Sequence, residues 1–295
     1  MSMRPPLPVE ASWLPLVARA LGEDLGPGDV TSEAVIPAGT KGEAVIEARE
    51  DLVVCGLAVV RAVFRELDPE LRFRAERGDG EQARRGQVLA TLEGATRSIL
   101  AAERTALNFL GRLCGVATLT RRHVEVVAGT RARIVDTRKT LPGWRVLDKY
   151  AVAVGGGQNH RMGLFDALLV KDNHVAAAGG VAAATRAARA GAPPHLHLQV
   201  EVESLDDAVA AVAAGADSLL LDNRTPTELR CIVEALGDRT SLEASGGVSL
   251  ETLRAVAETG VQRISVGALT HSAPAADVAL EMRGVREELR GGGTA

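Results

Sequence analysis

The sequence predicts an α/β protein: an N-terminal α+β module followed by an incomplete TIM-like β/α barrel. Three observations carry this. Between residues 42 and 92, short alternating apolar runs surround a single helical stretch. From Ile134 onward a unit of about 20 to 33 residues recurs, each a strand-length apolar run followed by a helical stretch. Each of these later runs ends in polar residues (TRK, KDNH, EVES, LDN, EASGG, SVGALTHS), as parallel strands do where their C-terminal ends build a site. Six such runs fall short of a closed eight-stranded barrel, hence an incomplete one. An open doubly wound sheet, whose ligands also sit at strand C-termini, is the alternative.

The expected division places residues 1–115 in the N-terminal domain, with 275–295 packing back on it, and 116–274 in the barrel domain that carries the site. At 295 residues the chain is long enough for both cores. With 46% hydrophobic and 24% charged residues it has the composition of a soluble globular protein. A net charge of -4 and 2% aromatics argue against nucleic acid as a partner, which needs a basic face and stacking platforms. No run approaches the ~18 apolar residues of a membrane span. Prolines interrupt MSMRPPLPVEASWLPLV where a signal peptide needs an apolar core. Cys55, Cys114 and Cys231 are widely spaced without a CxxC pair, which suits reduced thiols, and the apolar surroundings of Cys114 and Cys231 predict burial. The expectation is a cytoplasmic protein without membrane or nucleic-acid partners.

In chain order, residues 12–22 read as a helix with Ser12 as N-cap and Gly22 as its stop. EDLGPGDVTSEAVIP follows as a turn, and turn chemistry explains Asp24, Asp29 and Thr31 better than a metal does. Strands are expected at 44–48, 53–55, 71–73 and 88–90, with a helix around 58–67. GDGEQARRGQVLATLEG resembles lipoyl-type turns, but no lysine sits at its tip, so it is no swinging arm. From Thr96 the period is helical, with Ile99, Leu100, Leu107, Leu110 and Leu113 as the apolar stripe. The barrel strands begin near Ile134, Ala167, Leu198, Ser218, Ser241 and Ile264, and helices such as LDDAVAAVAAG and TPTELRCIVEALG follow them.

Chemistry concentrates between residues 133 and 174. The first barrel run stops at Asp136-Thr137-Arg138-Lys139 and the second at Lys171-Asp172-Asn173-His174; a turn, a helix through Lys149-Tyr150, a glycine triplet and His160-Arg161 lie between. Arg138, Lys139, His160, Arg161 and Lys171 at strand ends and glycine-rich turns read as the floor of an anion site rather than as solvated surface charge. Gln199, Glu201 and Glu203 alternate along one strand face, and Asp222 ends the next run. Glu201 and Asp222 can hold Mg2+ directly or through its waters, or form a polar plug in the barrel. Ser245-Gly246-Gly247 precedes a helix, and Gly267-Ala268 follows the last run; such loops let backbone N–H groups approach a phosphate. There is no GxxxxGK[ST] and no GxGxxG. His174 and His271 lie in strand-end loops, His195 and His197 read as structural or exposed, and His123 as exposed on a helix.

The strings TRKTLPGWR, KYAV, GGGQNHRMGLFD and LLVKDNH, in this order and preceded by EDLGPGDVTSEAVIP, resemble the quinolinate phosphoribosyltransferases, decarboxylating nicotinate-nucleotide pyrophosphorylases of the type II phosphoribosyltransferase family. The resemblance implies transfer of phosphoribose from phosphoribosyl pyrophosphate to quinolinate with loss of CO2, in NAD biosynthesis. It implies catalytic roles for Lys139, Lys171, Glu201 and Asp222, with Mg2+ on Glu201 and Asp222. It implies substrate contacts from Arg138, His160, Arg161, Lys171, Ser245, Gly246, Gly247, Gly267 and Ala268. Arg104, in AERTALNF, matches an arginine that completes the neighbouring subunit's site, which implies a homodimer or higher even oligomer with shared active sites. Two rivals stand beside this reading. One is a related type II phosphoribosyltransferase of the ModD kind. The other is a Schiff-base aldolase using Lys171, which would leave TRKTLPG and GGGQNHR unexplained.

Overall fold

Residues 5–286 are described by the computed structural model. The chain divides into two units: one takes in the chain up to Leu119, Leu141–Gly155 and the chain from Ala273 on, the other Thr120–Thr140 and Gly156–Ser272. Residues 141–155, assigned to the barrel by the sequence pattern, therefore group with the first unit. Of the expected 275–295 segment, residues 287–295 lie outside the described residues.

The first unit opens with helix α1 (Leu14–Leu25), which starts later than its apolar pattern indicates and runs through Gly22 to end at Gly26. Pro15 is tolerated in the first turn, while Ser12 sits in a preceding 3-10 turn and gives its hydroxyl to the Val9 carbonyl at 2.7 Å. The glycine- and proline-rich segment expected as a turn contains a short helix, α2 (Val30–Val35). Asp29 caps it, its Oδ1 accepting from the N–H groups of Thr31 and Ser32 at 3.1 and 3.0 Å.

Then come β1 (Lys41–Ala48), β2 (Leu52–Val53), α3 (Leu57–Leu67), β3 (Arg72–Ala75), β4 (Gln82–Ala83), β5 (Val88–Ala95) and the long α4 (Thr96–Val126). The strand Val278–Arg286, β1, β5 and β3 form an antiparallel sheet in that order, and β2 pairs with β4. Ile46, Phe64, Leu89, Ile99 and Leu110 are buried in its core, each contributing about 1.5–3 kcal/mol by leaving water. Cys55 and Cys114 are buried too, and burial pushes the Cys114 thiol up to about 12.

Two long-range pairs place residues 141–155 in this unit. Trp144 stacks on Phe109 with ring centroids 4.7 Å apart. Arg112 grips the fully buried Asp148 with three N–H···O contacts of 3.0–3.1 Å, just inside helix α5 (Arg145–Gly155).

The second unit is a six-stranded parallel sheet: β6 (Arg133–Val135), β7 (Leu168–Val170), β8 (Leu198–Val202), β9 (Ser218–Asp222), β10 (Ser241–Ser245) and β11 (Arg263–Ser265). The spatial order is β6-β11-β10-β9-β8-β7. Each strand lies beside its sequence neighbour except that β6 pairs with the last strand, not with β7. That is the cyclic order of a β/α barrel with one open seam, whereas a doubly wound sheet reverses direction at a switch point. At the seam Gln158 bridges to Val135, and its N–H donates to the Ile134 carbonyl at 2.8 Å.

Helices α6 (Asp172–Ala178), α7 (Val181–Gly191), α8 (Leu205–Ala213), α9 (Pro226–Leu236), α10 (Leu250–Ala257) and α11 (Ala268–His271) follow the strands from β7 onward. Leu198, Val200 and Val202 are buried on one face of β8, which leaves Gln199 and Glu201 on the other. Two burial expectations fail: His123 is 3% exposed rather than solvated, and Cys231 on α9 is exposed rather than buried. No helix among the described residues is long and apolar enough to cross a membrane.

Candidate active site

A cavity of about 620 Å³ opens at the C-terminal ends of the parallel strands. Arg138, Lys139, His160, Arg161, Lys171, Glu201, Asp222, Ser245, Gly246, Gly247, Gly267 and Ala268 all line it. Arg104 does not; it is exposed on α4 in the first unit. Sequence reasoning passed over Thr137, Glu243 and Ser265, which also line the cavity, as does His271 from its strand-end loop. The signal for Glu243 was present, since alternation along SLEAS puts Ser241, Glu243 and Ser245 on one face.

The basic side is held in place by the loops after β6 and β11. The Lys139 N–H donates to Thr137 Oγ1 at 3.0 Å, and the Lys139 carbonyl accepts from Thr270 Oγ1 at 2.8 Å. Gly267 leaves room for the lysine stem: a Cβ there would stand 3.0 Å from Lys139 Cδ and 3.2 Å from the His271 ring. Arg161 donates from Nη1 to the Ala167 carbonyl at 3.1 Å, and its buried Nε has no hydrogen-bond acceptor. Burial, followed by the neighbouring Arg138 guanidinium, lowers its pKa. Two guanidinium groups crowded into a half-buried corner repel each other, and an anion between them removes that repulsion.

The acidic side lies across the cavity. Lys171 Nζ stands 3.7 Å from Glu201 Oε2, with side chains 51% and 13% exposed respectively. Burial raises the Glu201 pKa, Asp222 and Asp172 raise it further, and Lys171 opposes them. His174 accepts the Lys171 N–H on Nδ1 at 3.0 Å and so fixes the start of α6. Asp222 accepts from Asn223 Nδ2 at 2.6 Å. Among the described residues no three His, Cys, Asp or Glu side chains form a metal-holding group. Glu201 and Asp222, at the ends of adjacent parallel strands, are the carboxylates of this side; oxygen donors of that kind suit a hard cation only if water or ligand oxygens complete its shell.

The loop after β10 requires glycine at its first position. Gly246 has φ +85°, and a Cβ there would sit 2.2 Å from Asn223 Oδ1 and 3.0 Å from its backbone nitrogen. Gly247 is also left-handed, at φ +60°, and α10 begins three residues later. Consecutive left-handed residues before a helix make a concave run of backbone suited to phosphate oxygens. His195 and His197 lie elsewhere; His197 Nε2 pairs with Ser218 Oγ at 2.7 Å.

Comparison with known proteins identifies the family. Residues 29–114 match the family model for the N-terminal domain of quinolinate phosphoribosyl transferase, and residues 116–281 match the C-terminal domain. The chain is 45% identical over 274 residues to a nicotinate-nucleotide pyrophosphorylase (carboxylating) of Mycobacterium leprae, covering 90% of this chain and 95% of the relative. It is 38% identical to quinolinate phosphoribosyltransferase (decarboxylating) 1b of Nicotiana tabacum, covering 90% of this chain and 81% of that protein. Among solved structures, the nicotinate-nucleotide pyrophosphorylase from Francisella tularensis superposes with a TM-score of 0.90 at 37% identity, covering 93% of this chain and 97% of that one.

Proposed function

This chain belongs to the quinolinate phosphoribosyl transferase family, and we propose that its strand-end cavity joins quinolinate to phosphoribosyl pyrophosphate, releasing pyrophosphate and CO2 and leaving nicotinate mononucleotide. The observation that carries the reading is the division of the cavity into a basic side (Arg138, Lys139, Arg161) and a carboxylate side, where Glu201 and Asp222 stand with Lys171. Quinolinate is a planar dicarboxylate, and paired guanidinium groups match carboxylates bidentately. The pyridine nitrogen forms a bond to the anomeric carbon as the bond from that carbon to pyrophosphate breaks. The carboxylate beside the nitrogen then leaves as CO2, its bonding electrons staying on the ring carbon next to the ring cation until a proton replaces it. Positioning the two reactants supplies much of the acceleration.

Lys139 and Lys171 offset charge on the substrates' anionic groups, while the loops at Ser245, Gly246, Gly247, Gly267 and Ala268 cradle phosphate. Glu201 and Asp222 would hold Mg2+, whose charge when bound neutralises the leaving pyrophosphate. Arg104, exposed on α4, serves the site of a second subunit in a homodimer or higher even oligomer, and the enzyme works in the cytoplasm. A Schiff-base aldolase is disfavoured because Lys171 is half exposed and beside Glu201, the opposite of the desolvated setting that makes an amine nucleophilic. The test is chromatographic: nicotinate mononucleotide should form from quinolinate and phosphoribosyl pyrophosphate, and its absence under saturating substrates would remove the reading.

A further inference from the structure

A polar layer that the proposed steps do not use lies at the strand-end cavity, reaching its wall through His160 and Glu243. Gln199 on β8, Glu243 on β10 and Arg263 on β11 meet there, Gln199 and Glu243 being 4% and 1% exposed. Arg263 Nε donates to Glu243 Oε2 at 2.9 Å, and Gln199 Nε2 donates to the same oxygen at 3.2 Å. The other end of the Gln199 amide meets His160: Nε2 of the ring lies 2.8 Å from Gln199 Oε1 and 3.6 Å from Glu243 Oε1. On the opposite side of the ring, Nδ1 accepts the Arg161 N–H at 2.8 Å, while the His160 N–H donates to Asp136 Oδ1 at 2.8 Å.

These contacts fix the proton. An Nδ1 that accepts from a backbone N–H carries no hydrogen of its own, so the ring is neutral and protonated at Nε2. Nε2–H then needs an acceptor, which sets Gln199 Oε1 toward it and Gln199 Nε2 toward Glu243 Oε2, while the buried Glu243 Oε1 has no hydrogen-bond partner. An imidazolium would set an Nδ1–H against the Arg161 N–H, two donors face to face. Both ring nitrogens thus have partners within the protein.

We infer that Gln199 and Glu243 are positioning residues that act through His160: they lock the imidazole, the imidazole holds the backbone of Arg161, and the Arg161 guanidinium is thereby aimed at the bound dicarboxylate. The layer is not held by packing alone. A second cavity of about 330 Å³ borders it, lined by Gln199, Arg263, Ser218 and Ser241, so hydrogen bonds must set the orientation. The inference rests on the reading of the strand-end cavity as the quinolinate site.

The test is a kinetic cycle with purified full-length protein. Gln199→Met keeps the volume and removes both hydrogen bonds. It should raise the quinolinate KM roughly tenfold, the loss expected for a hydrogen bond that steers a charged group, and leave the phosphoribosyl pyrophosphate KM within about twofold. A general loss of fold would instead lower kcat with both KM values unchanged. His160→Asn retains an acceptor for the Arg161 N–H but cuts the link to Gln199. Adding Gln199→Met to it should therefore change the quinolinate KM no further. If Gln199→Met does not fold, Glu243→Gln replaces it: an amide there turns an NH2 toward either Gln199 and Arg263 or the His160 Nε2–H, and the same KM shift is expected. An unchanged quinolinate KM in either folded variant, or a full Gln199→Met effect in the His160→Asn background, overturns the inference. Absence of quinolinate turnover by the wild-type protein would instead overturn the reading of the site.

Discussion

Glu201 Oε2 and Lys171 Nζ face each other at 3.7 Å across the ends of β8 and β7, and the ion pair leaves the carboxylate undercompensated. Burial, Asp222 and Asp172 together hold the Glu201 pKa above its ordinary 4.5 despite the lysine. A strand-end carboxylate held this way gains most from an added cation.

This has a sign that melting curves can read. Between 4.5 and the raised value, the folded protein binds a proton at Glu201 that the unfolded chain does not, so this group's contribution to stability is lost as pH rises through that window. Without ligands, Glu201→Gln should melt above wild type at neutral pH, and the difference should shrink toward pH 4, where the acid is protonated in both states. Mg2+ should raise the wild-type melting temperature and leave that of Glu201→Gln unmoved. Equal melting of the two proteins at both pH values, or equal Mg2+ shifts, would contradict the assignment.

In the proposed site, the paired guanidinium groups would discriminate between one carboxylate and two. Leaving one buried charge without its partner costs on the order of 2–5 kcal/mol, roughly thirtyfold or more in kcat/KM. Nicotinate should therefore be used at least thirtyfold less well than quinolinate, and Arg161→Ala should erase much of that preference. Comparable kcat/KM values for the two acids with the wild-type enzyme would remove Arg138 and Arg161 from dicarboxylate recognition.

Gly246→Ala forces a side chain into the left-handed region, at about 1–3 kcal/mol, and against Asn223. The loop after β10 must shift, so the KM for phosphoribosyl pyrophosphate should rise about tenfold or more while quinolinate binding, measured by calorimetry, changes little. Loss confined to quinolinate would place the phosphate elsewhere.

Arg104 sits in the first unit and Lys139 in the second, so sharing between subunits can be tested by mixing dead enzymes. Arg104→Ala and Lys139→Ala homodimers should each be inactive. In a mixed dimer one site carries both defects and the other neither, so random exchange should restore about a quarter of wild-type activity. No recovery, with mixed dimers seen by native mass spectrometry, would put Arg104 outside a shared site.

Much of the second unit was legible because period and punctuation agree. Strand starts expected near Ile134, Ala167, Leu198, Ser218, Ser241 and Ile264 fall within one residue of the observed ones. The convergence of their polar ends follows from parallel topology. What the pattern missed depends on distant partners: residues 141–155 join the first unit through Phe109 and Arg112. His123 is buried by tertiary packing that its own helix does not announce. The partners of the His160 ring were also not legible, because Gln199 lies on another strand, although Arg161 is its chain neighbour.

The most direct measurement is release of labelled CO2 from quinolinate carrying the label in the carboxyl group next to the ring nitrogen. Release should require phosphoribosyl pyrophosphate and match nicotinate mononucleotide one for one. Release without phosphoribosyl pyrophosphate, or mononucleotide that retains the label, would contradict the account.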